Sequence, residues 1–197
     1  MKKIKFDDCI CQDRLLDHEE VKDSILSCID KSPDGGLSED GYGYDLKKSN
    51  ITKLDWDRCR EFENRPWLYL FLPKFTRSVQ DMVNSMGYKS IRITACWYQQ
   101  YLKGSSHSWH IHNEHYTGVY YLEYPEGSSK TEICSPYDLT KQTLDVSEGD
   151  FIIFPAHWIH RSPSNSSSRK TIISYNFSIE MNYPKGYYLD VDAIKDG

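Results

Sequence analysis

No two of the six cysteines (Cys9, Cys11, Cys28, Cys59, Cys96, Cys134) stand at C-x-x-C spacing, so neither a zinc ribbon nor a disulfide framework is indicated. Reduced, mostly packed thiols are expected instead. No apolar run approaches the roughly 20 residues that a bilayer-spanning helix needs. The opening Met-Lys-Lys-Ile-Lys-Phe-Asp-Asp also lacks the apolar stretch of a signal peptide. A soluble, cytoplasmic protein with no membrane partner is the expectation. Positive charge is not in excess: 24 Lys+Arg face 29 Asp+Glu, a formal net charge of −5. With no global positive field to gather phosphate backbones, general nucleic-acid binding is disfavoured. Internal repeats, coiled-coil heptads and tails of one charge are missing as well.

What is present is enough apolar material for one globular unit. Of 197 residues, 39% are hydrophobic and 14% aromatic, with 15 Tyr against 7 Phe. A core built this way carries many phenolic hydrogen-bonding groups and can line a polar pocket. The two halves differ in pattern. Asp17-His18-Glu19-Glu20 followed by Val21, Ile25, Cys28 and Ile29 predicts one amphipathic helix, stopped at Pro33-Asp34-Gly35-Gly36. A short helix over 56–64 ended by Pro66, and another marked by Phe75, Val79, Met82, Val83 and Met86 and closed at Gly87, complete the first half. The glycines and tyrosines of 35–44 suit a loop able to fold over a site. From Ser90 onward, β-branched and aromatic runs at 91–102, 109–113, 117–124, 130–134, 143–146, 151–154 and 171–179 predict seven short strands with no helical pattern between them. Such a pattern gives an antiparallel sandwich or barrel. The expected organisation is an N-terminal helical and loop extension, 1–89, packed on a mainly β core, 90–197.

Histidine is where the sequence becomes specific, because six of the seven lie between His107 and His160. In Trp109-His110-Ile111-His112-Asn113 two imidazoles stand at i and i+2, which on a strand places both on one face. Some fifty residues later, Gly149-Asp150-Phe151-Ile152-Ile153-Phe154-Pro155 is a tight turn and an apolar strand, with His160 just past its end. A third nitrogen donor then reaches across the barrel. A facial set of three ligands suits divalent iron and leaves positions open for reactants. Neutral imidazoles leave the full charge on the metal, which favours an anionic chelator such as a 2-oxo acid. Glu114 offers a second arrangement, since His112 and Glu114 are also an i, i+2 pair. The set His110, His112 and His160 is preferred over His112, Glu114 and His160. Of the remaining histidines, His115 and His157 are expected to line or seal the pocket and His107 to lie at the surface. Trp97, Gln99, Tyr101, Trp109 and Trp158 are candidates for its walls.

The stretch Tyr101-Leu102-Lys103-Gly104, His110-Ile111-His112, Thr117-Gly118-Val119-Tyr120-Tyr121-Leu122, then Phe154-Pro155, His160, Arg169 and Ser174-Tyr175-Asn176-Phe177 resembles the Fe(II)/2-oxoglutarate-dependent oxygenase superfamily. The pattern is similar to an oxygenase family common in bacteria and phages, and it covers about residues 90–180. The resemblance implies a double-stranded β-helix (jelly-roll, cupin-like) core with flanking helices. It implies Fe(II) held by a His-x-Asp/Glu pair and a distal His, which fall on His110, His112 and His160. His112 stands where a carboxylate is usual. It further implies that Arg169, nine residues past the distal His, clamps the far carboxylate of 2-oxoglutarate, joined by Tyr121 and with Thr171 able to add a hydroxyl. A planar guanidinium suits that bidentate task better than the neighbouring Lys170. The implied reaction is hydroxylation of a C–H bond of an unidentified substrate by O2, with release of succinate and CO2. Cupins are the neighbouring resemblance, through Gly104-x5-His110-x-His112 and Gly149-x5-Pro155-x4-His160. Their Glu is missing at Tyr116 and Thr117. A cupin-type dioxygenase that needs no 2-oxoglutarate, or a non-catalytic metal-binding barrel, are the alternatives.

Overall fold

The structure, a computed structural model, describes residues 10–34 and 49–181. The element order is β1 (Cys11–Arg14), α1 (His18–Lys31), β2 (Lys53–Leu54), a 3-10 turn at Trp56–Arg58, α2 (Pro66–Ser85), β3 (Tyr88–Leu102), β4 (His107–His110), β5 (Tyr116–Glu123), β6 (Glu132–Cys134), β7 (Lys141–Thr143), β8 (Asp150–Pro155), β9 (Ile159–Ser162) and β10 (Arg169–Met181). The strands form a six-stranded sheet, β1-β8-β5-β10-β3-β2, and a four-stranded sheet, β4-β9-β6-β7, with every pair antiparallel. A mainly β architecture with flanking helices is what the sequence predicted, although two α-helices form where three were expected.

Local chemistry explains the helices. Helix α1 opens on the acidic turn Glu19-Glu20, buries Ile25 and Ile29 one turn apart, and ends with Lys31. An acidic start and basic end suit the helix dipole. Pro33 then holds Ser32 extended, at φ −70 and ψ 146, and stops it. Helix α2 corrects the sequence expectation. Pro66 begins this 20-residue helix rather than ending a shorter one, and only the single 3-10 turn forms before it. Proline at the first helical position lacks only an N–H that would have had no partner there. Trp67, Phe71, Phe75, Val79 and Val83 keep one buried face running past the internal Pro73, and Gly87 at φ +86 takes the left-handed turn after it.

Strand alternation divides two cores. One face of the large sheet carries Tyr98, Tyr120, Phe151, Ile153, Ile173 and Tyr175 against the apolar faces of α1 and α2. The other carries Tyr101, Val119, Tyr121, Ile152, Phe154 and Ile172, joined by Ile133 of the small sheet. The inner core lies between the sheets, where the site forms. Strands β1 and β2, from the first 54 residues, supply the two edges of the large sheet. Five cysteines are described and all are free thiols.

Gly118 decides how closely β5 meets its neighbours. A Cβ there would collide with the Ile152 carbonyl oxygen and lie 2.5 Å from the Tyr175 hydroxyl, which itself donates to that carbonyl at 2.7 Å. Gly118→Ala is expected to destabilise the fold by about 3 kcal/mol, the upper end for overpacking. Thermal unfolding would read this as a drop of roughly 6–12 °C.

Candidate metal centre

Three imidazoles converge at the open end of the two-sheet core. Strand β4 ends at His110, which pairs in register with His160 of β9. His112 lies two residues beyond the strand, tied in place by its backbone N–H donating to the Ala156 carbonyl at 2.9 Å. The H-x-H pair therefore meets through a strand end plus a backbone tether, not through alternation along one continuous strand. His160 does not hang past a strand end either. It sits inside β9, between β4 and β6, a strand the sequence pattern missed.

One ligand atom from each of His110, His112 and His160 lies within 4.8 Å of the others, and the Nε2 atoms of His112 and His160 are 3.2 Å apart. Backbone carbonyls set two of the tautomers. Nδ1–H of His110 donates to Ser108 O at 2.8 Å, and Nδ1–H of His160 donates to Trp158 O at 3.0 Å. Both rings thus turn an Nε2 lone pair toward the common point, the arrangement in which a carbonyl orients a metal-ligating histidine. Burial lowers the basicity of all three. His110 is pushed down to about 4, while His112 and His160 lie well below the usual histidine value, each lowered further by neighbouring imidazoles. They are neutral at pH 7 and free to ligate. Trp97 stacks on His112 at 5.6 Å between ring centroids and Phe154 meets His160 edge-on at 4.9 Å, so apolar walls hold the rings. The donor set fits a divalent transition metal with open positions.

The pocket beside these rings is lined by Trp97, Gln99, Tyr101, Thr117, Gly118, Thr131, Arg161, Ile172 and Ser174, and by His107. His107 is thus a wall residue, not a surface one. Its ring stacks on His110 at 3.9 Å and 22°. His115 and His157, expected at the pocket, are exposed outside it. His115 Nδ1 accepts the Ile179 N–H and His157 meets the Tyr137 hydroxyl. Trp109 and Trp158 are not on the wall. Trp109 lies beneath the guanidinium of Arg161, 4.6 Å from its ring. Glu114 accepts from Ser178 Oγ at 3.3 Å and takes no part in the cluster. The loop 35–44 lies outside the described residues.

The largest correction concerns the carboxylate clamp. On β10, Ile172 and Ser174 face the pocket, so Lys170 shares their side. Arg169 and Thr171 face the other way. Arg169 makes a bidentate pair with Glu123 at 2.7 and 3.0 Å and reaches Asp30 at 3.1 Å. Thr171 donates to Glu123 at 2.8 Å. A register shift of β10 on β5 at Thr171/Ile172 sets Glu123 opposite Thr171 and so supplies the acid on that face. Lys170 is 1% exposed. Its Nζ donates to Ser162 Oγ at 2.6 Å, Ser129 Oγ at 2.7 Å and Ser129 O at 3.1 Å, and rests over the Tyr101 ring. Among the described residues no carboxylate pairs with it. Burial pushes its pKa down to about 7. Tyr121 is fully buried and donates to Thr131 Oγ1 at 2.7 Å, on the pocket wall. The buried Lys170 amine is thus held by two hydroxyls and a carbonyl, with no counterion among the described residues.

No family model and no curated protein matches the sequence. Solved structures do match the fold. An oxidoreductase of the 2OG-Fe(II) oxygenase family from Burkholderia pseudomallei is 14% identical with a TM-score of 0.63, over 86% of this chain and 84% of its own. A Pseudomonas putida prolyl-4-hydroxylase is 11% identical with a TM-score of 0.62, over 86% and 92%. A viral collagen prolyl hydroxylase from Paramecium bursaria Chlorella virus-1, in complex with 2OG, is 17% identical with a TM-score of 0.55, over 85% and 94%. The shared architecture is the double-stranded β-helix.

Proposed function

We propose that this chain is an Fe(II)- and 2-oxoglutarate-dependent oxygenase that hydroxylates a C–H bond of a substrate not yet identified. The observation that carries the reading is the convergence of His110, His112 and His160 on one point inside a β-helix. That fold is shared with solved 2OG-Fe(II) oxygenases. His110, His112 and His160 would hold the iron. Bound there, iron with 2-oxoglutarate supplies the O2-dependent oxidation that releases succinate and CO2 and places an oxygen atom on the substrate.

The chain's own part is binding, orientation and exclusion of water. Lys170 replaces Arg169 in the reading of the far carboxylate: its ammonium is dry, pinned by Ser129 and Ser162, and lacks a negative partner. An anion there completes the ion pair that burial otherwise makes costly. Tyr121 spends its proton on Thr131 Oγ1, which leaves the Thr131 hydroxyl on the pocket wall free to donate to a bound anion. Trp97, Phe154 and Ile172 keep the metal end apolar, which strengthens charge interactions within it. No protein general base is called for. Arg161, paired with Glu132 at 2.7 Å, adds a partly exposed cation to the pocket lining.

Anaerobic titration of the Fe(II)-loaded protein with 2-oxoglutarate is expected to give a saturable, weak visible charge-transfer band. Arg169→Ala is expected to leave that band in place, because the side chain faces Glu123 and Asp30. Absence of the band in iron-loaded protein would sink the oxoglutarate reading. A cupin-type dioxygenase that needs no 2-oxoglutarate would then stand, a reading favoured by a cluster made of imidazoles alone. The division into a 1–89 extension and a 90–197 core is kept as an organisational proposal, with truncation before Ser90 as its test.

A further inference from the structure

Four histidines line this pocket, and their hydrogen bonds sort them into two kinds. His110 and His160 each give Nδ1–H to a backbone carbonyl and keep an Nε2 lone pair for a metal. His107 is set the other way. Ser174 Oγ donates to Gln99 Oε1 at 3.1 Å, which leaves the Gln99 amide nitrogen facing the ring. An amide NH2 can only donate, so the 3.4 Å contact from Gln99 Nε2 makes His107 Nδ1 the acceptor. With Nδ1 accepting, the ring N–H is the one at Nε2. That atom has no partner among the described residues and is not sealed off. His107 is thus fixed as a donor, beside two rings, His110 and His160, that present acceptors.

The register says what such a donor meets. On the paired strands β4 and β9, His110 stands opposite His160 and His107 stands opposite Ser162. The first rung holds the metal end of the pocket. The second reaches Lys170, because Ser162 Oγ accepts from its ammonium at 2.6 Å. A chelator that runs from the metal point to Lys170 passes His107 on the way. Resting on the oxo-acid reading above, we infer that His107 is a binding residue for the cosubstrate. Its Nε2–H donates to a carboxylate oxygen of the 2-oxo acid, and the Ser174–Gln99 relay locks the tautomer that allows it.

The test separates this role from metal ligation and from the parent reading. Co(II) is titrated into wild type and His107→Phe by its visible absorption, and 2-oxoglutarate is then titrated into each Co(II) complex. The expected result is unchanged Co(II) affinity in His107→Phe with 2-oxoglutarate bound roughly ten- to a hundredfold more weakly, the cost of one hydrogen bond to a charged acceptor. His107→Gln, which restores an N–H donor, should recover most of that loss. Gln99→Leu leaves the imidazole in place and cuts the lock. It should weaken 2-oxoglutarate several-fold, and it serves if the Phe variant does not fold. Loss of Co(II) affinity in His107→Phe would make His107 a ligand and overturn the assignment. So would wild-type affinity for 2-oxoglutarate in both His107→Phe and Gln99→Leu. If the wild-type Co(II) protein itself binds no 2-oxoglutarate, the parent reading falls and this inference with it.

Discussion

His160→Ala is expected to lower Fe(II) or Co(II) affinity by at least about a hundredfold, since even residues that merely support a metal ligand cost ten- to a hundredfold when removed. His160 contributes an Nε2 that lies 3.2 Å from the His112 Nε2, with its ring fixed by the Trp158 carbonyl and walled by Phe154. Two nitrogen lone pairs cannot rest that close without a shared proton or cation between them. Removing one ring therefore removes a ligand and the reason for the close approach. Competition against a chromophoric chelator measures the loss, and His110→Ala and His112→Ala should behave alike. Glu114→Ala is the control. Its carboxylate is engaged with Ser178 outside the cluster, so metal affinity should not change. Loss of metal in Glu114→Ala with retention in His110→Ala would overturn the ligand set.

Lys170 carries the second large effect, and its pH dependence has a distinctive sign. Lys170→Ala should abolish 2-oxoglutarate binding at concentrations that saturate the wild type, because the far carboxylate then has no cation in a dry pocket end. The ammonium's pKa is pushed down to about 7 by burial, against roughly 10.4 in an unfolded chain. Between those values the unfolded chain holds a proton that the folded chain has lost. Stability of the ligand-free protein should therefore rise with pH across that window, by up to about 1.4 kcal/mol per unit from this group. Below pH 7 both states are protonated and the contribution is flat. Binding runs the opposite way. The anion needs the charged lysine, so 2-oxoglutarate affinity should fall by up to about tenfold per unit above pH 7. Denaturation and ligand titration at matched pH values read the two slopes, and Lys170→Met should erase both. If Lys170→Met binds 2-oxoglutarate normally, the carboxylate lies elsewhere. Arg169→Ala by contrast removes a pair that is about one-third exposed, which is worth at most about 1 kcal/mol.

Much of the molecule is legible in the sequence. The alternating and apolar runs from Ser90 onward fix a β-rich second half, and their lack of intervening helices makes the pairing antiparallel. His110-Ile111-His112 and the distant His160 announce a three-imidazole cluster because few other arrangements gather histidines after a Gly-turn-strand. The boundaries of α2 and the existence of β9 were not legible. Pro66 is compatible with either end of a helix, and its place was settled by the apolar face of Trp67, Phe71 and Phe75 finding the sheet. The segment Ile159–Ser162 has no alternation of its own and is a strand only because β4 and β6 flank it.

The sequence by itself determined which donors this protein owns: clustered histidines with Glu114 close by, a lysine beside an arginine after the distal histidine, and enough tyrosine to line a pocket. Tertiary structure alone decided which of them face one another. Neighbouring residues on a strand point to opposite sides, so one step in parity exchanges Lys170 for Arg169. His107 reaches the same side as His110 only through a register shift between them on β4, while Glu114 and His115 lie in the bend before β5 and outside the pocket. Parity becomes inward or outward only when helices α1 and α2 cover one face of the large sheet and β4 and β9 close over the other. Those contacts join residues far apart in the chain, and no local pattern encodes them.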